Sequence, residues 1–225
     1  MATTQRKPGP RSDINSREAL LEVAEEMFSI HGIDGSSVRN IAQTAGLGVG
    51  AVHYHFGSKD GLVKAVLAGR AMQIVERSRE LALQLERRGG AITIDALVDA
   101  IIRPYFEVID KDPGRGLRTV KMISLMATQQ DPRWIELATA TGEPPISSLV
   151  VELISRALPD LDSDRAGRVA SLAISSVILQ LANMDSPVFA HAVGPHGVDE
   201  EFKAEMKVFA AEGLRGLASR AALQP

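Results

Sequence analysis

The chain has 225 residues, of which 45% are apolar and 24% are charged, and its formal net charge is −3. These proportions are ordinary for a soluble globular protein, and the absence of cysteine excludes disulfides and cysteine-ligated zinc or iron–sulfur sites. No apolar run approaches the ~18 residues that a membrane-spanning helix needs and no signal peptide is visible, so we expect a cytoplasmic protein.

The amino-terminal segment is basic although the whole chain is acidic. Residues 1–17 carry four basic side chains against one acidic side chain, a local charge of +3. Residues 1–15 are also rich in Pro, Gly and polar residues, which predicts a flexible basic arm. Such an arm is either a solvated tail or a segment that lies along a polyanion, and the sequence leaves both interpretations open.

The arm is followed by a predicted amphipathic helix and then by two short helices. The first runs from about residue 16 to residue 31, with apolar residues at helical spacing. In the window after it, Ala42, Gly46 and Val52 have the spacing of a helix-turn-helix. Ala42 is small enough for two helices to cross closely, Gly46 allows a turn with positive φ, and Val52 anchors the second helix. The outer face of that second helix is then free to enter a major groove.

The rest of the chain is predicted to be helical almost throughout, which makes the fold class all-α. A long helix from Lys59 to about Arg88 should end at Gly89-Gly90, and a helix over 94–110 should kink or break near Ile102 because of Pro104. Asp131 is predicted to cap the helix that starts at 132, and either Asp162 or Ser163 is predicted to cap the helix over 163–183. The predicted helical segments after the first long one are 94–110, 114–128, one starting at 132, 146–158, 163–183 and 199–222. A loop containing Pro187, Gly194, Pro195 and Gly197 is predicted between the last two of these helices.

The helix predicted over 163–183 has a wide apolar surface and several small residues. It is either buried at the centre of its own subunit or forms a dimer face, and the width of the surface favours the dimer. The predicted interface residues are Leu172, Ile174, Val177, Ile178 and Leu181.

The helix-turn-helix window resembles the DNA-binding domain of TetR-type transcriptional regulators. The residues that match the family pattern in register are Ser37, Val38, Arg39, Ile41, Ala42, Ala45, Gly46, Gly50, Tyr54, His55, Phe56, Lys59 and Leu62. The resemblance implies a DNA-binding domain over 16–62 and a helical effector-binding and dimerisation domain over 63–225. It also implies that the last two helices pair with their copies in a second subunit, as suits a protein that grips two half-sites of a palindromic operator.

The resemblance further implies which residues contact DNA. Ser37 should cap its helix and contact a phosphate, Arg39 should reach a phosphate or a guanine edge, and Lys59 should contact a phosphate. Tyr54 and His55 match the backbone-contacting aromatic positions, although Tyr54 could instead be a half-buried core residue. The remaining predicted contacts lie at the base-reading positions: Gly48, Val49, Gly50, Ala51 and His53.

These base-reading positions depart from the family pattern because they offer few hydrogen-bonding side chains. Contact with thymine methyl groups by Val49 and Ala51, together with Arg39 and His53, should therefore carry the base readout. His53 and His55 lie two residues apart, on different helix faces, so we expect no metal site and no cofactor.

The resemblance also implies a small-molecule pocket between the middle helices of the second domain. The candidate lining residues are Ile102, Tyr105, Phe106, Met122, Met126 and Trp134, each of which could equally be ordinary core. This lining predicts an apolar or amphipathic effector that releases a repressor from DNA. A constitutive DNA-binding dimer without a ligand stays open as an alternative. An enzyme is not expected, because no Gly-x-Ser-x-Gly elbow, phosphate-binding Gly loop or His-Glu-x-x-His motif is present.

Overall fold

The computed structural model describes residues 10–139, 145–184 and 198–221, and within these ranges all regular secondary structure is helical. The prediction of an all-α fold is thus confirmed. The helices are α1 (Pro10–Gly35), α2 (Val38–Thr44), α3 (Val49–Phe56), α4 (Lys59–Val66), α5 (Met72–Arg88), α6 (Ile94–Lys111), α7 (Pro113–Thr128), α8 (Pro132–Thr139), α9 (Ile146–Ala157), α10 (Ser163–Ala182) and α11 (Glu200–Ala221). A π-helical turn, Leu67–Ala71, joins α4 to α5.

Most helix boundaries follow from local capping chemistry that the sequence already shows. Asp162 caps α10 by accepting a hydrogen bond from the backbone N–H of Arg165 at 2.8 Å. Asp131 accepts from the N–H of Arg133 at 2.9 Å and so begins α8 with Pro132 as its first residue. Because these side chains satisfy N–H groups that have no partner inside the helix, the predicted starts of both helices are confirmed.

The first helix differs from its predicted bounds at both ends. It begins at Pro10 rather than near Ser16, so residues 10–15 are helical and the prediction of disorder is wrong for them; residues 1–9 lie outside the described ranges. Proline is favoured at the first position of a helix, because its φ is already helical and because an N–H at that position has no partner within the helix. The helix runs on to Gly35 through Gly32, whose φ of 71° bends the chain.

Pro104 does not break the sixth helix, where the sequence predicted a kink or a break near Ile102. Helix α6 continues from Ile94 to Lys111 with Pro104 buried inside it. A proline removes one backbone hydrogen bond from a helix interior. Here the helix packs against α5, α7, α9 and α11, and its apolar burial offsets that loss.

The chain divides into two compact units, residues 1–69 and 70–225, whose boundary falls inside the π-helical turn. In the first unit, α1 packs on α2, α3 and α4 around a core that includes the fully buried Leu20, Phe28, Ile41 and Leu62. In the second unit, α6 lies among α5, α7, α9 and α11, while α10 packs on α7, α9 and α11.

Ion pairs connect α6 to α11 along much of their length. Arg215 contacts Asp95, and Lys207 contacts Asp99 with 2.7 Å between Nζ and Oδ1. Lys203 is buried, contacts Asp110, and places its Nζ 5.8 Å from the ring centroid of Phe106. Burial alone would lower the pKa of Lys203, but its hydrogen bonds to acidic partners outweigh burial and raise it. Lys203 therefore stays charged and holds α11 against α6.

Candidate nucleic-acid interface and apolar cavity

The turn between α2 and α3 has the geometry that the sequence pattern predicts. Gly46 has a φ of 71°, and the N–H of Leu47 donates to the carbonyl of Ala42 at 2.8 Å, which closes the turn. Ala42 and Val52 are fully buried, so the small crossing residue and the apolar anchor both lie where predicted. These contacts fix the angle between the two helices, since no larger side chain separates them.

The outer face of α3 is exposed and carries few hydrogen-bonding groups. Val49 and Tyr54 are 41% and 73% exposed, and Gly48, Gly50 and His53 are also exposed. Tyr54 is therefore not a core aromatic, which removes the alternative interpretation of that residue. Ala51 and His55 are half-buried, and the His55 ring lies edge-on to Tyr54 with 4.9 Å between the ring centroids.

His53 is engaged within its own helix. Its Nδ1 lies 3.0 Å from the carbonyl oxygen of Gly57, at the carboxyl end of α3. Since a carbonyl can only accept, Nδ1 must carry the proton of this hydrogen bond, and Nε2 is the nitrogen left for an outside partner. The sequence suggested base contact for His53. It gave no sign that one ring nitrogen of His53 would stabilise the carboxyl end of α3.

Two further helix starts lie beside α3. Ser37 accepts a hydrogen bond from the N–H of Asn40 at 3.0 Å, which confirms its role as the cap of α2, and Arg39 is exposed in the first turn of that helix. Lys59 is the first residue of α4, and the preceding Ser58 accepts from the N–H of Gly61 at 3.0 Å. The positive ends of α2 and α4 therefore carry an arginine and a lysine, an arrangement that suits anions.

Sequence reasoning missed the residues that fix the junction of α3 and α4. A Cβ at Gly61 would lie 2.0 Å from the carbonyl oxygen of Phe56, so the two helices meet backbone to backbone there. The guanidinium of Arg17 lies 5.3 Å from the ring centroid of Phe56 and ties α1 to the end of α3. The run Ser58 to Gly61 is a recognisable helix start, but the close approach depends on the fold.

The second unit contains an apolar cavity of about 190 Å³. Residues from α5, α6, α7, α8, α9 and α10 line it, and none of the lining residues in the described ranges is charged. The lining includes Val75, Ile101, Tyr105, Trp134, Val150 and Ile178. A hydrogen-bonded Arg133, which lowers the pKa of Asp131, fixes the start of α8 just before Trp134.

The cavity contains two of the six pocket residues suggested by the sequence, Tyr105 and Trp134. Ile102, Phe106, Met122 and Met126 are buried, but they are not among the residues that line it. On α6 the wall includes Ile101 and Tyr105. The predicted Ile102 and Phe106 each come one residue later, about 100° further around the helix. Phe106 accordingly faces Lys203 of α11.

The residues suggested for a dimer face are mostly inside the second unit. Val177, Ile178 and Leu181 are buried in the single chain, and Ile174, which is half-buried, lines the cavity together with Ile178. Leu172 alone among the five is well exposed, at 62%. The other exposed large apolar residues of the last two described helices are Leu179 on α10 and Val208 and Phe209 on α11.

The described residues contain no group of three or more acidic, histidine or cysteine side chains able to hold a metal ion. None of the helices that the structure describes is both long and apolar enough to cross a membrane.

The chain is similar to known regulators in both of its parts. Residues 20–66 match the model of bacterial regulatory proteins of the tetR family, and residues 99–213 match the tetracyclin repressor-like C-terminal domain. The HTH-type transcriptional repressor KstR2 of Rhodococcus jostii (strain RHA1) is 31% identical over 107 residues, which are 46% of this chain and 50% of that protein. Matches to such curated relatives span between 40% and 66% of the relatives' own length.

Two solved structures share the fold at low sequence identity. AmtR of Mycobacterium smegmatis has a TM-score of 0.60 and 20% identity, covering 99% of this chain and 100% of that one. KstR2 of Mycobacterium tuberculosis, described as a ketosteroid transcriptional regulator, has a TM-score of 0.59 and 20% identity, covering 95% of each chain. These likenesses concern the fold alone. Because the match over residues 99–213 by itself covers more than half of the sequence, the chain belongs to the TetR family of bacterial regulatory proteins.

Proposed function

We propose that the chain is a transcriptional repressor that binds a palindromic operator as a dimer and leaves it when a small apolar molecule binds. The observation that carries this proposal is the exposed outer face of α3, held by the Gly46 turn and the buried Val52 in the geometry of a recognition helix. TetR-family regulators are DNA-binding transcription factors rather than enzymes, which agrees with this geometry.

In the proposed complex α3 enters the major groove of the operator. Val49 and Ala51 touch thymine methyl groups, and Nε2 of His53 is left for a base edge because Nδ1 is already bonded. Gly48 and Gly50 let the helix approach the bases closely. Tyr54, His55, Ser37 and Lys59 contact the phosphate backbone and position the helix without reading sequence.

The dimer is proposed to form through an apolar face that α10 and α11 leave exposed. The residues proposed for this face are Leu172, Leu179, Val208 and Phe209, which are exposed on two helices that pack against each other. Complete removal of an apolar side chain of this size from water is favourable by about 1.5–3 kcal/mol. Packing of this face against the same face of a second copy is therefore favourable. A two-fold dimer would then present two copies of α3 to two half-sites.

The domain arrangement proposed for this function follows the chain order. An amino-terminal basic arm precedes a DNA-binding domain over 16–62, and residues 63–225 bind the effector and form the dimer. The apolar cavity of the second unit is the proposed effector site, supported by its size and its uncharged lining.

Footprinting on a genomic operator tests the proposal. We expect protection of two related half-sites whose centres lie about one turn of DNA apart, roughly 34–36 Å. Protection of an isolated half-site by a monomer would contradict the dimer. The same binding measured with and without metabolite extracts separates a ligand-released repressor from a constitutive DNA-binding dimer, whose affinity would not change.

A pair of substitutions separates positioning contacts from reading contacts. Lys59→Ala should weaken binding to operator and random DNA by similar factors and reduce the salt dependence by about one unit, since one phosphate contact is lost. Arg39→Ala should relax preference at one operator position by roughly 1–3 kcal/mol if the guanidinium reads a guanine edge. Fluorescence anisotropy at several salt concentrations measures both. Equal losses for Arg39→Ala on both DNAs would make it a phosphate contact instead.

A further inference from the structure

The hydroxyl of Tyr105 is a hydrogen-bond donor on a buried residue in the wall of the apolar cavity. Tyr105 lies on α6, is 8% exposed, and lines the cavity together with aliphatic side chains. Its hydroxyl has no hydrogen-bond partner among residues 10–139, 145–184 and 198–221. Burial raises the pKa of Tyr105 far above its usual value, so the group stays protonated and neutral at any physiological pH.

The other polar groups of the wall differ from Tyr105. The Ser78 hydroxyl already donates to the carbonyl of Ile74 at 2.8 Å, so it has a partner within its own helix. Ser147 is exposed and Trp134 is half-buried, so water can reach them. Arg115, Arg118 and Lys121, the three cations of the neighbouring helix α7, are not among the lining residues. Tyr105 is thus the one buried residue with a polar side chain among the described lining residues, none of which is charged.

We propose that the cavity binds an uncharged, mostly hydrocarbon ligand whose single carbonyl oxygen accepts a hydrogen bond from Tyr105. A ligand that covers this hydroxyl without accepting a hydrogen bond leaves the donor unsatisfied, and a ligand carbonyl avoids that cost. A carboxylate would instead be buried without a cation, which is far more costly. The inference rests on the proposed function, in which this cavity is the effector site.

The volume of the cavity limits the size of the ligand. A dry cavity of about 150 Å³ in another protein holds benzene, so 190 Å³ suits one ring with a short substituent. Cyclohexyl methyl ketone has this size and one carbonyl group. Isopropenylcyclohexane has nearly the same shape with =CH₂ in place of the oxygen, and cyclohexanecarboxylate adds a negative charge. These three compounds are the probes.

Calorimetric titration of the full-length chain with each probe measures the contribution of the Tyr105 hydroxyl. The wild-type chain should prefer the ketone to the alkene and should bind the carboxylate much more weakly than either. Tyr105→Phe should reduce the preference for the ketone by about 3- to 10-fold, as expected for one neutral hydrogen bond. Binding of the alkene should be kept or improved in this variant, which shows that the cavity is still folded.

Thr119→Val is the matched control. It removes another buried hydroxyl of the second unit, one that donates to the carbonyl of Arg115 at 3.0 Å and is not among the lining residues. The Thr119→Val variant should keep the wild-type preference for the ketone over the alkene. The same preference in Tyr105→Phe as in the wild type, equal binding of ketone and carboxylate, or no binding of ketone and alkene up to their solubility limits would each overturn the proposal.

Operator binding, measured in parallel, keeps this inference distinct from the proposed function. A ketone that binds through Tyr105 and leaves operator affinity unchanged would support the cavity chemistry and overturn the effector role. A wild-type chain that binds no operator would overturn the regulator function without changing the calorimetric result. Release of operator by the ketone in the wild type, and less readily in Tyr105→Phe, would support both.

Discussion

The double substitution of Leu172 and Phe209 by glutamate should make the chain monomeric and lower its operator affinity by about 100- to 10,000-fold. Both side chains lie on the proposed dimer face, at 62% and 70% exposure, so polar replacements are tolerated in the folded monomer. In the dimer they would place four carboxylates in an apolar interface, where unpaired charges are costly. A monomer loses the second half-site, and linking two binding events typically contributes affinity of this order.

Sedimentation velocity and operator titration measure the two parts of this prediction. Ile135→Glu is the control, because Ile135 is an exposed apolar residue of α8 outside the dimer face, at 54% exposure. The Ile135→Glu variant should remain dimeric and bind operator with the affinity of the wild type. A double variant that sediments as a dimer and keeps its operator affinity would show that α10 and α11 do not form the interface.

Replacing Gly116 by alanine should destabilise the second unit by about 3 kcal/mol, although the change adds a single methyl group. A Cβ at Gly116 would lie 2.5 Å from the Cα of Ile109 and 2.7 Å from the carbonyl oxygen of Val108. Both atoms belong to the backbone of α6, so no side chain can rotate away. The two helices would have to separate, and both line the apolar cavity.

Gly114→Ala supplies the matched comparison for this effect. Gly114 lies two residues earlier on the same helix, and a Cβ there would meet only a guanidinium nitrogen of Arg118 at 3.7 Å, an ordinary contact. Alanine also favours helix more than glycine, by up to about 1 kcal/mol. Chemical denaturation should therefore show Gly114→Ala as neutral or stabilising. Similar free energies of unfolding for the two variants would mean that α6 and α7 do not approach as closely as described.

The sequence was most informative where a feature depends on neighbouring residues. Ala42, Gly46 and Val52 predicted the helix-turn-helix, and Asp131 and Asp162 predicted two helix starts, because turns and caps are set by a few adjacent residues. The α1 boundary was less accurate, since Pro and Gly near residue 10 suggest a flexible segment as readily as a helix start.

The sequence was least informative about helices that are apolar on most sides. Helix α10 has apolar residues around much of its circumference, so the pattern alone could not separate Val177 and Leu181, which are buried, from Leu172 and Leu179, which are exposed. The same difficulty affected Phe106 on α6, which faces α11 rather than the cavity. The importance of Gly116 could not be predicted either, since it depends on which helix lies opposite.

The position of Trp134 gives this protein a built-in spectroscopic reporter. The chain has a single tryptophan, and that residue lies in the wall of the apolar cavity. Its emission spectrum therefore reports on one place in the molecule, without labelling and without a background from other indoles. Water that leaves the cavity when a ligand enters would shift this emission to shorter wavelength, so occupancy can be followed by intrinsic fluorescence in the same sample in which operator binding is measured.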